Sequence, residues 1–371
     1  MNLIVDHSIV STAVSDLQKV CATKSVIPIL SGIKIEAEKG AIKLTGGNSE
    51  MFMEKMIPIE GNGEIIEEGS VVVVAKYLNE LLKKFPGKIQ LNASEKSTVI
   101  IKSGDITTKL NRLHVEQYPK LPAFQSSYNV KMTLGDLKEA IKQTLFAVSK
   151  SDSKPVLTGV QFEFQKGKLI LTATDSNRLS RKMLQVHSEH MESIVVPDYC
   201  LNEILNIKEA DTSVIEIAHD RNLIAIKANN TTLLSVLIEG HYPDVRALIP
   251  NEFISRVKVN RKKLLAGVER ACIFSGSSKH NDVNLRLCDG DSIKITSIST
   301  EIGMIEEYQK VHTEGETNFS ITLDGRYLIE ALKGIKEEEI TMQFNGNMKP
   351  IVLKSENNPS YLQLISPRRA H

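Results

Sequence analysis

The chain has 371 residues, 41% of them hydrophobic and 25% charged, and its formal net charge is +1. That length calls for two or three domains, with enough apolar material for each to have its own core. A protein that coats nucleic acid by bulk charge would be strongly basic, so any nucleic-acid role here must depend on how charge is arranged. The opening Met1-Asn-Leu-Ile-Val-Asp6 has no basic region followed by a long apolar stretch, so no signal peptide is expected. No apolar run approaches the ~20 residues of a membrane span. Cys21, Cys200, Cys272 and Cys288 lie far apart with no CxxC pair, which suits free thiols in a reducing cytoplasm and not a zinc site. His187 and His190 are the only close histidine pair and read as a solvated loop.

In chain order, residues 7–24 read as a first helix. Pro28-Ile-Leu-Ser-Gly-Ile33 follows, then Glu36-Ala-Glu-Lys-Gly40 and Ile42-Lys-Leu-Thr45, two alternating segments split by a Lys-Gly turn. A second helix is expected over 76–88, around Tyr77-Leu-Asn-Glu-Leu-Leu82, and Tyr118-Pro119 closes the stretch. The pattern then restarts. Leu137, Ala140, Ile141, Leu145 and Val148 fall at helical spacing over 134–154. Pro155-Val-Leu-Thr-Gly-Val160 repeats the first landmark at an offset of 127, and Val160-Gln-Phe-Glu-Phe164 and Leu169-Ile-Leu-Thr172 repeat the hairpin. A helix over 199–208 carries Leu201-Asn-Glu-Ile-Leu205. Strands follow at Ile215–Ile217, Leu223–Ile226 and Leu233–Leu237, and Tyr242-Pro243 closes the second copy. A third, weaker copy shows Val283-Asn-Leu-Arg-Leu287, Ile293-Lys-Ile-Thr296 and Tyr327-Leu-Ile-Glu-Ala-Leu332, with helices expected over 261–270 and 326–336.

A repeat of more than 100 residues is too long for a solenoid element, so each copy can bury its own core. The expected architecture is α+β: three tandem domains over 1–124, 128–249 and 251–371, with linkers near Pro122–Ser127 and Leu248–Glu252. The six helical segments hold 18 basic and 8 acidic residues, which leaves 28 basic and 37 acidic elsewhere. This division suits helices that line a surface facing a polyanion, with strands forming an acidic shell. Neutralising phosphates gives affinity without base information. An enzyme is disfavoured, since there is no nucleophile elbow, P-loop, metal-ligand spacing or dinucleotide fingerprint. No cofactor or metal is expected.

These landmarks, with Phe146-Ala-Val-Ser149, Ala173-Thr-Asp-Ser-Asn-Arg-Leu179, Glu239-Gly-His-Tyr-Pro-Asp244 and the closing Pro367-Arg-Arg369, resemble the bacterial sliding-clamp family, the beta subunits of DNA polymerase III, along essentially the whole chain. The resemblance implies three clamp domains per subunit, each with antiparallel sheets outside and two helices inside. Two subunits would close head to tail into a six-domain ring around duplex DNA. The ring would be a non-catalytic processivity factor in the cytoplasm, associated with the nucleoid, and a separate ATP-driven loader would open it.

The resemblance also assigns residues. Partner peptides from polymerase, clamp loader and repair or translesion factors would dock between the second and third domains. That pocket would comprise Leu157, Thr174, Ser176, Asn177, Arg178, Leu179, Pro243, Ala247, Leu248, Pro350, Leu364, Ser366, Pro367, Arg368 and Arg369. Lys24, Lys76, Lys150, Ser151 and Lys154 would touch DNA. The dimer interface would join strands around Lys102–Leu110, with Lys102 and Lys109, to a region with Ile273, Phe274, Glu301, Glu306 and Glu307.

Three departures from the family pattern fall among the pocket residues. Ser366 and Arg368 flank Pro367 where apolar residues are usual, with Ala370-His371 beyond; Asn177 replaces a histidine; and Ala247 replaces a polar or basic residue. They suggest a divergent or second clamp with a more polar pocket. A rival reading keeps the fold as a monomeric peptide-binding adaptor that does not encircle DNA.

Overall fold

In a computed structural model, the residues described are 1–22, 27–38, 40–93, 97–121, 129–189, 191–275 and 281–369. Lys24, His190, the linker 122–127 and Ala370-His371 lie outside them. The chain separates into two compact units, Met1–Leu137 with Tyr199–Leu237, and Lys138–Asp198 with Ile238–His371. The division passes through the second repeat because that repeat gives strands to both units.

In the first unit a 13-stranded sheet runs from the first repeat into the second. The join is the antiparallel pair Met51–Pro58 and Thr231–Val236, with Phe52 opposite Leu234 and Lys55 opposite Thr231. In the second unit a nine-stranded sheet makes the corresponding join between Arg178–Gln185 and Asn358–Ile365, with Leu179 opposite Leu364. A four-stranded sheet completes that unit, with Gly303–Lys310 at its edge.

The repeated landmark Pro-x-Leu-Ser/Thr-Gly has one local structure in both copies. Pro28–Ser31 and Pro155–Thr158 are single 3-10 turns, each opened by the fixed φ of proline. The glycine that ends each turn starts a strand at a close approach. A Cβ at Gly32 would lie 2.6 Å from Val72, and one at Gly159 2.6 Å from the Val196 carbonyl oxygen.

There are six α-helices: α1 (His7–Val20), α2 (Ala75–Leu82), α3 (Leu134–Thr144), α4 (Asp198–Leu205), α5 (Arg261–Ser275) and α6 (Gly325–Gly334). Side-chain caps set several starts. Asp6 accepts from the Ser8 amide and Asp324 from the Arg326 amide, while the Thr133 hydroxyl accepts from the Asp136 amide. Five of the expected helices are too long at their C-terminal ends, and α5 runs further than expected. In α3 the helix stops at Thr144, so Leu145 falls in a short 3-10 turn and Val148 beyond it.

These ends change the charge reading. Within the observed helices there are 10 basic and 8 acidic residues. Much of the expected excess lies outside the helices: Lys83, Lys84, Lys208 and Lys336 fall within a turn of a helix C-terminus, where cations complement the helix dipole, and Lys150 and Lys154 lie in the loop beyond α3. Some of these are already paired: Lys208 lies 3.0 Å from Asp16, and Lys336 lies 2.7 Å from Glu139.

The third repeat shows how each core is built. Leu264, Val268 and Ala271 of α5 and Leu328, Ala331 and Leu332 of α6 bury one face of each helix against strand residues such as Val283, Leu285, Ile293 and Ile295. Burying side chains of this kind stabilises by about 1.5–3 kcal/mol each.

Candidate functional site

The strand pair that joins the second and third repeats forms the floor of a cavity of about 520 Å³. Leu179 and Leu364, opposed across that pair, are nearly fully buried and cluster with Val245 and Val352. Leu157, at the end of the repeated 3-10 turn, closes one side. Leu248, Pro243 and Pro350 line the mouth.

One rim is the tight turn between strands Lys168–Thr174 and Arg178–Gln185. Asp175 organises it by accepting hydrogen bonds from the backbone amides of Asn177 (2.9 Å) and Arg178 (3.1 Å). Thr174 donates its hydroxyl to the Arg178 carbonyl (2.5 Å) and its amide to the Tyr242 hydroxyl (3.0 Å). Burial pushes the Tyr242 hydroxyl up from its ordinary pKa, so it stays protonated. Ser176 has φ of 77°, a left-handed conformation that costs a non-glycine residue energy and is held by its neighbours.

Arg178 both lines the cavity and braces it. Its guanidinium donates to Asp175 (3.0 Å), to Glu330 of α6 and to the Phe146 carbonyl. It also stacks over the Tyr327 ring at 4.4 Å and the Phe146 ring at 5.4 Å. Only 7% of its side chain is exposed, so its charge is committed to the fold.

Ten of the fifteen residues expected at the pocket line this cavity: Leu157, Thr174, Ser176, Arg178, Leu179, Pro243, Leu248, Pro350, Leu364 and Ser366. Asn177, Ala247, Pro367, Arg368 and Arg369 do not. Arg368 turns away to Asp324 (2.8 Å) and Asp282 (3.8 Å), and its amide donates to the Thr322 carbonyl (2.8 Å). The Ser366 amide donates to the Asn177 carbonyl (2.8 Å), so the C-terminal tail is laced to both repeats. Of the described departures from the family pattern, only Ser366 lines the cavity, and its walls remain apolar. Val156, Val245, His241 and Lys154 also line it. The family resemblance does not assign the first three to the pocket, and it assigns Lys154 to DNA.

Lys76 is exposed on the first turn of α2. Lys150 and Ser151 are exposed in the loop after α3, where the Ser151 amide donates to Ser149. Lys102 is exposed on strand Thr98–Ser103, and Lys109 on strand Ile106–Leu113. Ile273 is 66% exposed at the end of α5, with Phe274 half-buried beside it and Glu301 exposed. Glu306 and Glu307 already have partners in the same chain. Glu306 lies 2.5 Å from Lys294, and Glu307 takes two hydrogen bonds from Arg270, which hold its carboxyl below the usual range.

More telling are apolar residues that the sequence reading omitted. Ile298, Ile302, Met304 and Tyr308 are each more than half exposed, on or beside the edge strand Gly303–Lys310. Among the described residues that strand pairs only with Ser292–Ser299. Among the described residues, strand Ile106–Leu113 has no strand partner along residues 106–111 on the side away from Thr98–Ser103. Open apolar edges invite pairing with another chain.

No cluster of metal-ligating side chains occurs among the described residues, and no helix among them is long and apolar enough to cross a membrane.

Models of the DNA polymerase III beta subunit match the chain in three consecutive stretches: the N-terminal domain over residues 1–122, the central domain over 131–244 and the C-terminal domain over 246–369. The beta sliding clamp of Bacillus subtilis is 33% identical over 367 residues, 97% of each chain. That of Halalkalibacterium halodurans is 34% identical over 381 residues, all of both chains. The crystal structure of the DNA polymerase sliding clamp from Bacillus subtilis superposes with a TM-score of 0.96 at 31% identity, covering 100% of both chains. The chain belongs to the DNA polymerase III beta subunit family.

Proposed function

We propose that the chain is a DNA sliding clamp: a non-catalytic homodimeric ring that encircles duplex DNA and tethers the replicative polymerase and other partners. It acts in the cytoplasm, on the nucleoid. Lys24, Lys76, Lys150, Ser151 and Lys154 contribute sequence-independent phosphate contacts, and partner peptides dock in the cavity floored by Leu179 and Leu364.

The observation that carries this reading is a junction used twice and left open once. Strand Met51–Pro58 pairs with Thr231–Val236, and Arg178–Gln185 pairs with Asn358–Ile365. The third member of the first series is Gly303–Lys310, and the remaining member of the second is Ile106–Leu113. Among the described residues, each keeps an edge without a strand partner. Their union with a second copy repeats the junction a third time; a head-to-tail contact of this kind closes into a ring or grows into a filament, and the family resemblance implies closure after two subunits. Phe52 faces Leu234 and Leu179 faces Leu364 at the existing junctions. Carrying over the register of the first junction, with Met304 in the place of Phe52 and Leu110 in that of Leu234, Met304 of one subunit faces Leu110 of the other, and Tyr308 faces Ile106.

Cysteines at these positions test the register. Opposed residues in an antiparallel pair bring their Cβ atoms to ~4.5–5.5 Å, close enough for a disulfide after slight adjustment. The Leu110→Cys/Met304→Cys protein should oxidise to a covalent dimer, while either single variant should not. A chain that stays monomeric at micromolar concentration and does not cross-link would favour the adaptor that does not encircle DNA.

A further inference from the structure

Two repeats meet twice within the chain, and the side chains around the two junctions differ. Val10, Ala13, Val14 and Leu17 are buried on α1 where Leu137, Ala140, Ile141 and Thr144 are buried on α3, so Thr12 stands in the place of Glu139. Likewise Ile207-Lys-Glu209 after α4 recurs as Ile335-Lys-Glu337 after α6. Lys336 reaches Glu139 (2.7 Å) and bridges its junction. Lys208 meets no acid at Thr12 and pairs instead one turn further along α1, with Asp16 (3.0 Å). The space beside Thr12 is left as a groove of about 360 Å³, walled by Ile9 and Ala13 of α1 and by Met56 and Ile57 of strand Met51–Pro58. Its charged lining residues are Lys55 and Glu209. Lys55 is committed to Asp16 (2.9 Å). Glu209 accepts hydrogen bonds from the Asn229 side-chain amide (3.1 Å) and the Thr231 hydroxyl (3.5 Å), both neutral, and makes no ion pair among the described residues.

We propose that this groove is a docking site for a partner-protein segment that presents a lysine or arginine beside an apolar side chain, with Glu209 as the residue that reads the cation. The third repeat shows the fitting chemistry, because at the corresponding place the chain supplies its own lysine, Lys336. A lysine or arginine stem lies along Ile9 and Met56, the latter 40% exposed, and its head takes the acceptor positions that Asn229 and Thr231 leave open on the Glu209 carboxylate. Burying the neighbouring apolar side chain against Ala13 and Ile57 adds affinity, and the ion pair adds selectivity. The groove shares no lining residue with the cavity floored by Leu179 and Leu364. That cavity takes in Arg178 and Leu179 at the start of their strand, whereas the groove takes in Met56 and Ile57 near the end of the corresponding strand. The proposal is thus independent of what the cavity binds.

Displayed random heptapeptides, depleted on the full-length Thr12→Arg protein and then selected on the wild type, test this. Thr12 is exposed on α1, and an arginine there fills the groove and pairs with Glu209 while leaving the cavity unchanged, so depletion removes peptides that bind elsewhere. Survivors should carry Lys or Arg next to Leu, Ile, Met or Phe. In titrations, a selected peptide should bind Glu209→Lys roughly two- to five-fold more weakly than wild type, and added salt should shrink the difference. Changing the peptide's basic residue to Glu should restore binding to that variant. In methyl NMR spectra the peptide should shift Ile9, Met56 and Ile57 and leave Leu179 and Leu364 in place. No survivors, survivors without a basic residue, equal binding to wild type and Glu209→Lys, or shifts confined to Leu179 and Leu364 would each overturn the proposal.

Discussion

Replacing Arg178 with methionine keeps most of the aliphatic length and removes the guanidinium. The lost interactions are the bond to Asp175 at 3.0 Å, those to Glu330 and the Phe146 carbonyl, and the stack over Tyr327 at 4.4 Å. Breaking a buried ion pair costs about 3–5 kcal/mol when it strands the partner charge. Two features reduce that figure. Glu330 is 45% exposed and can rehydrate, and Asp175 keeps its two backbone amides. A loss of about 2–4 kcal/mol is expected, which for a unit of this size lowers Tm by roughly 4–16 °C. Denaturant titration or calorimetry reads it directly. Arg178→Lys should recover part of the loss, since it restores charge but not the planar fork. A change below about 1 kcal/mol for Arg178→Met would refute the claim that this residue braces the cavity.

Asp16 is buried, and Lys55 (2.9 Å) and Lys208 (3.0 Å) converge on it. Burial pushes its carboxyl up, but the hydrogen bonds from Lys55 and Lys208 outweigh this and leave the pKa lowered. A lowered folded-state pKa gives stability that is present above the unfolded value of about 3.9 and lost as pH falls through the folded value. Asp16→Asn should therefore destabilise by about 2–4 kcal/mol near neutral pH, and the gap from wild type should close in acid; a gap independent of pH would count against the pairing. Arg368→Ala should release the C-terminal tail. Hydrogen exchange at the Ser366 and Arg368 amides should quicken several-fold for about 1 kcal/mol of lost stability, because the Arg368 side chain is 31% exposed and screened. Unchanged protection would show that the ion pair with Asp324 does not hold the tail.

The repeat was legible because its landmarks encode local structure: proline opens a 3-10 turn, and glycine ends it where a neighbouring strand leaves no room for Cβ. Most of the cavity residues came through resemblance, since Leu157, Leu179 and Leu364 look like any core leucine until the join of two repeats sets them together. Val245 and His241 lie in an irregular stretch with no periodicity to read. Lys154 could be placed in a loop but not on a particular side of it. The helix charge excess failed because helix ends are the least certain part of a sequence reading, and the lysines cluster just beyond them. Glu306 and Glu307 looked free for another subunit because their partners are not local. Arg270 lies 37 residues before Glu307, and Lys294 is on the adjoining strand.

The central claim is topological tethering. The dimer, loaded by a clamp loader with ATP, should remain on closed circular duplex DNA through gel filtration at moderate salt and slide off the same DNA once it is cut to a linear form. Equal retention on both, or loss from both, would contradict encirclement.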